Sequence, residues 1–277
     1  MQVVASQSML TAQGLESWTA WDTLDDATRR DVTREIAQTL GPGYAPEGLV
    51  GERKMGCVKH VPTGYEFLLM PGGSFSMGIT EAEEARILDV LRTLGGFPDA
   101  PADERAGWEK ALKKEVHGIA MAARSVHDVA VAPFLCGRRH LGETSLDPAW
   151  RALCEAEWEY VARASYPDGW LLHPPLTWGN ENGPDRALTQ ESPLGLFDLV
   201  SWAGEGFPED GWAGRGGYQG APNVARPFTP EGGELDWIAR GGPTNGWASE
   251  VAGVWAFFAG ARSNACGTGR RAAITFT

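Results

Sequence analysis

Hydrophobic residues recur at helical spacing in three stretches of the first half of the chain, each bounded by start and stop signals. The first, residues 23–40, opens with acidic residues and ends at a Gly-Pro pair. The second opens with a capping box at residues 80–83, and a charged stretch follows from about 103 to 124. We predict helices in all three, and we place the last two in a helical insertion at about 80–127.

A fourth helix is predicted to begin at Asp147 and Pro148, because aspartate is a favoured N-cap and proline fits the first helical turn. The polar residues Arg151, Glu155 and Glu159 fall on other faces than the apolar stripe of this helix. The stripe consists of Trp150, Leu153, Cys154, Trp158 and Val161. We expect the stripe to pack in the core, which is a more frequent role for such a pattern than a cofactor site.

The pattern changes from residue 166 onward, where short segments are separated by Gly, Pro, Asn and Asp. Such segments predict long loops, and we expect the Trp residues to fix these loops to the domain. Residues 257–271 follow neither the helical period of about 3.6 nor the strand period of about 2. Because burial does not explain these side chains, we predict that the C-terminal segment forms a display surface.

Length and composition indicate one large domain with many turns. The chain has 277 residues, is 43% hydrophobic and contains 36 Gly and 12 Trp, which suits a loop-rich α+β domain. The net charge of −12 opposes binding to nucleic acid, since a phosphate backbone requires a concentrated basic stripe. No stretch approaches the roughly 18 apolar residues that a membrane span needs.

Cysteine usage and the N-terminal residues bear on the compartment. The cysteines Cys57, Cys136, Cys154 and Cys266 include no Cys-x-x-Cys pair, and Cys57 with His60 supplies too few ligands for a zinc or redox motif. The first residues lack the basic region and the long apolar run of a signal peptide. We therefore expect a cytoplasmic or virion-associated protein.

Four sequence motifs follow one another along the chain: FLLMPGGSFSMG at 67–78, CEAEWEYVAR at 154–163, GLFDL at 195–199 and RGG at 240–242. They resemble, in order, the opening strand pair, the Thr-Glu-Ala-Glu-Trp-Glu-Tyr helix, the Gly-Leu-Tyr-Asp-Met turn and the Arg-Gly-Gly strand of the formylglycine-generating-enzyme (sulfatase-modifying factor) superfamily. This resemblance covers about residues 65–273. It implies an α+β, C-type lectin-like fold of the formylglycine-generating-enzyme type, with short strands, few helices and long loops. We expect this domain at 61–277, after an N-terminal helical extension at 1–60.

The residues that carry catalysis in that superfamily are not matched in this chain. Catalytic members hold copper with a cysteine pair near the C-terminus, and ergothioneine-type relatives use a His-rich iron site, because thiolates and imidazoles suit these metals. Cys266 is the only cysteine after Cys154, and the histidines do not have the spacing of a complete metal site. The Gly-Asn-Val-Trp-Glu-Trp continuation is also altered, to Ser-Trp-Ala-Gly-Glu at 201–205. We therefore predict that the protein is not an enzyme.

The segment at about 240–277 resembles the tail of the variable proteins of diversity-generating retroelements, a non-catalytic branch of the same superfamily. The matching positions are Gly241, Gly242, Gly246, Trp247, 252–256, Ser263, Asn264 and Gly269, and the family's ending Gly-Phe-Arg reads Gly-Arg-Arg at 269–271. In that family a reverse transcriptase copies a template repeat and randomises its adenines, so that the copied segment encodes a ligand-binding surface. The resemblance implies that this chain binds a protein or another macromolecular ligand through a hypervariable region at about 240–277.

Codon logic gives a separate indication of which positions vary. Adenine mutagenesis of Asn-type codons that end in a pyrimidine cannot produce Trp, Glu, Lys, Gln or Met, and none of these occurs from residue 256 to 277. By this logic Trp247, Glu250 and Trp255 are fixed scaffold of the site. The candidates for variation and ligand binding are Thr244, Ala248, Ser249, Phe257, Phe258, Gly260, Arg262, Asn264, Ala265, Cys266, Thr268 and Arg270.

Several candidates have side chains that suit a binding surface. Phe257 and Phe258 would supply an apolar anchor, and Arg262 and Arg270 would pair with carboxylates of the partner. The alternative for the adjacent phenylalanines is that one of them is buried in a strand. An exposed Cys266 would be reactive, which is an ordinary outcome of random diversification.

Two other functions remain open from the sequence. One is a divergent metal-dependent oxidase of the formylglycine-generating type, and the other is a fixed lectin-like sensor module. Calcium would then be held by acidic loop residues such as Glu181, Asp185 or Asp198, since enzymes of the superfamily bind calcium. Carboxylates in loops are more often only solvated, so we predict no cofactor.

Overall fold

The computed structural model describes residues 14–95, 101–141, 147–165, 191–197, 199, 205–207, 218–228, 238–240 and 271–275. These residues form an α+β fold with antiparallel sheets, which confirms the predicted class. The order along the chain is two helices, four strands, two helices, three strands, one helix and three strands.

Two helices begin the described chain, α1 (Trp18–Thr23) and α2 (Asp26–Leu40). The second confirms the helix predicted from the pattern at 23–40. Its N-cap is Asp25, whose carboxylate accepts a hydrogen bond from the Thr28 amide at 2.7 Å. Gly41 ends the helix with a φ of 102°, a conformation that favours glycine.

Ten strands lie in the described part of the chain: β1 (Tyr44–Val50), β2 (Met55–His60), β3 (Tyr65–Met70), β4 (Gly73–Met77), β5 (His127–Val131), β6 (Phe134–Gly137), β7 (Arg151–Ala152), β8 (Glu205–Phe207), β9 (Ile238–Arg240) and β10 (Ala272–Thr275). Six of them form one antiparallel sheet in the order β1-β2-β3-β6-β10-β7. β1 and β2 therefore belong to this sheet, although the sequence placed residues 44–60 in a helical extension. The remaining strands pair as β4 with β5 and β8 with β9.

A row of small and apolar side chains crosses the middle of the large sheet. Cys57 is the register partner of Leu68, Leu68 pairs with Cys136, and Cys136 pairs with Ala273. All four residues are fully buried, so this row lies in the hydrophobic core. β10 thus places the C-terminal part of the chain in the interior of the sheet, between β6 and β7.

The motif at 67–78 forms β3 and β4, which do not pair with each other. β3 lies between β2 and β6, whereas β4 pairs with β5 in a separate sheet. Gly73 makes the change of sheet possible, because its φ of 146° is outside the range of most side chains. The predicted two strands are present, and their arrangement differs from a simple hairpin.

Two helices form the predicted insertion, α3 (Glu81–Gly95) and α4 (Ala102–Ala122). The capping box before α3 is confirmed in detail. The Glu83 amide donates to the Thr80 hydroxyl at 3.1 Å, and the Thr80 amide donates to the Glu83 carboxylate at 2.8 Å.

The last described helix, α5 (Glu155–Ser165), begins eight residues after Asp147, and the predicted start at Asp147 and Pro148 is wrong. Residues 147–150 form a turn, in which the Trp150 amide donates to the Asp147 carbonyl at 2.8 Å. β7 follows because Arg151 and Ala152 pair with β10, a partner more than a hundred residues away that local spacing does not reveal. The Glu157 carboxylate then accepts from the Cys154 amide at 3.1 Å and fixes the true start.

The N-terminal residues are part of the same core. Leu15 and Trp21 are buried with the residues of the large sheet, and the Gly72 amide donates to the Leu15 carbonyl at 2.7 Å. Trp158 of α5 is fully buried, which confirms that the aromatic stripe packs in the core. The fold therefore forms one hydrophobic core that extends from residue 15 to residue 274.

Candidate functional site

Most of the C-terminal segment predicted to bind ligand, about 240–277, lies outside the described residues, which omit 241–270. This applies to all the candidate binding positions, Thr244, Ala248, Ser249, Phe257, Phe258, Gly260, Arg262, Asn264, Ala265, Cys266, Thr268 and Arg270, and to the predicted scaffold positions Trp247, Glu250 and Trp255. The acidic residues Glu181, Asp185 and Asp198 lie outside them as well. The structure describes both flanks of the segment, which end in Arg240 and begin again at Arg271.

Arg240, the last residue of β9, fixes the first flank of the segment, because its side chain lies in the core. Its side chain is fully buried, and its Nε donates to Glu155 Oε1 at 2.9 Å. Its Nη2 lies 2.8 Å from Glu159 Oε2, and it also donates to the Tyr218 hydroxyl. The guanidinium carbon is 5.6 Å from the centre of the Trp158 ring, within the range of a cation–π contact. Arg240 is thus held by charge, by hydrogen bonds and by an aromatic face.

Helix α5 supplies the acidic partners because of its spacing. Glu155 and Glu159 are four residues apart and therefore lie on one face of the helix, and both are buried. The sequence placed them on other faces than the apolar stripe, but it did not predict that those faces are buried as well. A carboxylate is buried only when it is paired, and the pairing residue, Arg240, is distant in sequence.

The mutual attraction of Glu159 and Arg240 outweighs the effect of burial on their pKa values, so both stay charged. Burial raises the pKa of the Glu159 carboxyl, but Arg240 and Arg163 outweigh burial and hold the pKa below its usual value. Burial likewise lowers the pKa of the Arg240 guanidinium, whereas Tyr218, Glu155 and Glu159 raise it above the ordinary value. Glu159 and Arg240 are therefore an ionised pair at neutral pH.

Arg271 fixes the second flank at the start of β10. The residue is 1% exposed, and its guanidinium donates to the Gly137 carbonyl at 2.8 Å and to the Phe197 carbonyl at 2.9 Å. Its own carbonyl accepts a hydrogen bond from the Leu153 amide at 3.0 Å. A buried arginine that donates to backbone carbonyls satisfies groups that would otherwise lack partners in the core.

The turn at 195–197 supports Arg271 from the side. Arg138 Nε donates to the Gly195 carbonyl at 3.0 Å, and the Phe197 amide donates to the Arg138 carbonyl at 3.0 Å. The guanidinium of Arg139 lies over the Phe197 ring at 3.7 Å from its centre. This turn, part of the GLFDL motif at 195–199, therefore holds in place the Phe197 carbonyl, which accepts a hydrogen bond from Arg271.

Both flanks converge on the start of α5. Leu153 binds the Arg271 carbonyl, and Glu155, two positions later, binds the Arg240 guanidinium. Arg240 and Arg271, which flank residues 241–270, are consequently held at one region of the fold. Both arginines belong to motifs in the sequence, RGG at 240–242 and Gly-Arg-Arg at 269–271, but they were not predicted to be site residues. The available signal was their position near the two ends of the predicted binding segment.

The three cysteines of the described residues, Cys57, Cys136 and Cys154, are buried and form no disulfide with one another. Burial raises the pKa of the Cys57 thiol to about 12, so this cysteine is protonated at neutral pH. Among the residues with described positions, no group of three or more His, Cys, Asp or Glu side chains could hold a metal ion. In the same part of the chain, no helix is long and apolar enough to cross a membrane.

The chain was compared with models of known protein families and with curated proteins, and neither comparison gives a match.

Proposed function

We propose that the protein is a non-catalytic binding protein that displays a hypervariable C-terminal surface on a C-type lectin-like frame, as the variable proteins of diversity-generating retroelements do. The observation that carries this proposal is the anchoring of both flanks of residues 241–270 at the start of α5. These contacts fix the position of the chain at Arg240 and at Arg271 through residues outside the segment.

The burial of the two flanks supports the proposal in energetic terms. The described partners of Arg240 and Arg271 include side chains of α5, the Tyr218 hydroxyl and backbone carbonyls, which lie outside the segment. Substitutions at exposed positions between the anchors would then change stability by roughly 0.5 kcal/mol or less. Such a frame can carry many different surfaces, which is the requirement of a randomised binding protein.

The proposed ligand is a protein or another macromolecule that contacts the candidate positions directly. The adjacent Phe257 and Phe258 provide an apolar anchor, and Arg262 and Arg270 provide partners for carboxylates. The net charge of −12 disfavours a nucleic-acid ligand.

The DNA that flanks the gene tests this proposal. We expect a reverse-transcriptase gene and a near-copy of the codons for about 240–277 that differs from them only where the copy has adenine. That near-copy would also identify the variable residues. If both are missing, the proposal fails, and metal analysis of the purified protein would decide between a divergent oxidase and a fixed lectin-like module.

A further inference from the structure

Glu83, at the start of α3, uses its two carboxylate oxygens for different helices. Oε2 accepts from the Thr80 amide at 2.8 Å and from the Thr80 hydroxyl at 3.0 Å, which caps α3. Oε1 accepts from Arg163 Nη1 of α5 at 2.6 Å. One side chain therefore links the helical insertion to the helix that holds Arg240.

Arg163 passes this contact on to the anchor of the C-terminal segment. Its Nε donates to Glu159 Oε1 at 2.8 Å, and the other oxygen of Glu159 lies 2.8 Å from Arg240. Exposure falls along the chain of contacts, from 16% for the side chain of Glu83 and 15% for Arg163 to zero for Glu159 and Arg240. Ion pairs that are shielded from water lose little strength to screening.

Both ends of the helical insertion meet at the same place. The Gly78 amide donates to Glu159 Oε1 at 2.8 Å, and the Ile79 amide donates to the carbonyl of Ala123, the residue after α4, at 3.0 Å. Gly78 has a φ of 105°, and an added Cβ would lie 2.5 Å from the Ala123 carbonyl oxygen. The two ends of the insertion therefore meet beside the Glu159 carboxylate. This close approach requires glycine at position 78.

We infer that Glu83 is a positioning residue for the C-terminal segment, through which the helical insertion orients Arg240 by way of Arg163 and Glu159. The described partners of the Arg163 guanidinium include two carboxylates and one carbonyl. Its Nε donates to Glu159, its Nη1 to Glu83 and its Nη2 to the Gly78 carbonyl at 2.5 Å. Without the charge of Glu83, Arg163 has one ionic partner fewer, and Glu159 and Arg240 are less tightly fixed. This role of Glu83 in holding Arg240 is independent of what the C-terminal segment does. Only the use of that segment for ligand binding rests on the proposed function.

Two variants separate the two roles of Glu83. Glu83→Gln keeps the reach-back to the Thr80 amide, since glutamine also completes a capping box, but removes the charge that Arg163 requires. Thr80→Ala removes the capping hydroxyl and leaves the carboxylate opposite Arg163 in place. Arg163→Lys is a second test of the ionic contact, because it keeps the charge and loses the planar fork.

Hydrogen exchange of the intact protein, followed by mass spectrometry, reads out each region separately. We expect Glu83→Gln and Arg163→Lys to raise exchange roughly tenfold in peptides that cover 155–165 and 238–240, with β2 and β3 unchanged. Thr80→Ala should raise exchange in the first turn of α3 and leave 238–240 as in the parent. Equal acceleration throughout the molecule, or acceleration by Glu83→Gln in α3 alone, would overturn the inference. Because exchange is measured without ligand, this result does not depend on whether the segment binds a partner.

Discussion

Arg240 and Glu159 form an ion pair in which both side chains are fully buried, with Arg240 Nη2 2.8 Å from Glu159 Oε2. One partner ends β9 and the other lies in the middle of α5, so the pair joins the entry of the C-terminal segment to the core. A buried charge is retained only when its partner stays in place, and removal of one partner is strongly destabilising. The stability of the fold and the position of the segment therefore depend on the same contact.

Arg240→Met should lower the free energy of unfolding by about 3–5 kcal/mol, because Glu155 and Glu159 would remain buried beside an uncharged side chain. Urea unfolding followed by tryptophan fluorescence measures this loss. The matched control is Arg30→Met, which breaks an exposed ion pair with Asp26 whose side chains are 54% and 52% accessible. The control should change the free energy by about 0.5 kcal/mol or less. Similar losses in both variants would contradict the role given to Arg240.

The depressed pKa of Glu159 predicts a loss of stability in acid. Its folded-state pKa lies below the ordinary value of 4.5, so its contribution is complete above that value and disappears as the pH falls through the folded-state pKa. Glu159→Gln should be less stable than the parent at pH 7 and should show a shallower decline in stability below pH of about 4.5. Gln38→Ala, at an exposed uncharged position of α2, is the control and should keep the parental pH profile. Parallel curves for the parent and Glu159→Gln would argue against the ionised pair of Glu159 and Arg240.

Trp21 tests whether the N-terminal helices belong to the core. The residue is fully buried, so Trp21→Ala should lower the free energy of unfolding by about 3–5 kcal/mol. Its Nε1 has no hydrogen-bond partner among the residues that the structure describes, and Trp21→Phe should therefore cost much less, since it removes an unsatisfied donor. Val61→Ala, at a position that is 55% exposed, should be nearly neutral in the same denaturation measurement. Loss of equal size in the alanine and phenylalanine variants would show that the indole nitrogen is satisfied.

Thiol alkylation of the native protein tests the exposure of the proposed display surface. The buried Cys57, Cys136 and Cys154 should resist a maleimide at pH 7, and the high pKa of Cys57 reinforces its protection. Cys266, a proposed variable position, should react first and in a one-to-one ratio. Peptide mapping identifies the modified residue, and Cys266→Ser should abolish the fast reaction. A native protein that resists modification at Cys266 would place this residue away from the display surface.

The sequence predicted the helices well because their signals are local. Asp25 and the Thr80–Glu83 capping box lie within four residues of the amides that they bind, so the pattern contains both partners. The start of α5 was predicted too early because Asp147 has the same chemistry in a turn as in an N-cap. Residues 151–152 form a strand because they pair with β10. The residues near Asp147 do not indicate this pairing.

The candidate site shows the same division between local and distant information. The unpatterned segment at 257–271 was visible in the sequence, and so were Arg240 and Arg271, although nothing in the sequence showed that both are buried. The burial of Glu155 and Glu159 was not visible, because a glutamate at a helix surface and a glutamate opposite a buried arginine look alike in a sequence. Only the approach of Arg240, 85 residues from Glu155, distinguishes the two.

Randomisation of the candidate positions most directly tests the claim that a fixed frame carries a variable binding surface. A library would vary the twelve candidates between residues 244 and 270 with adenine-randomised codons, and a matched library would vary Arg240 and Arg271. Protease resistance of the displayed variants measures folding. We expect most members of the first library to stay as resistant to protease as the parent, and members of the second library to lose resistance. Equal loss of resistance in the two libraries would contradict the claim of a fixed frame.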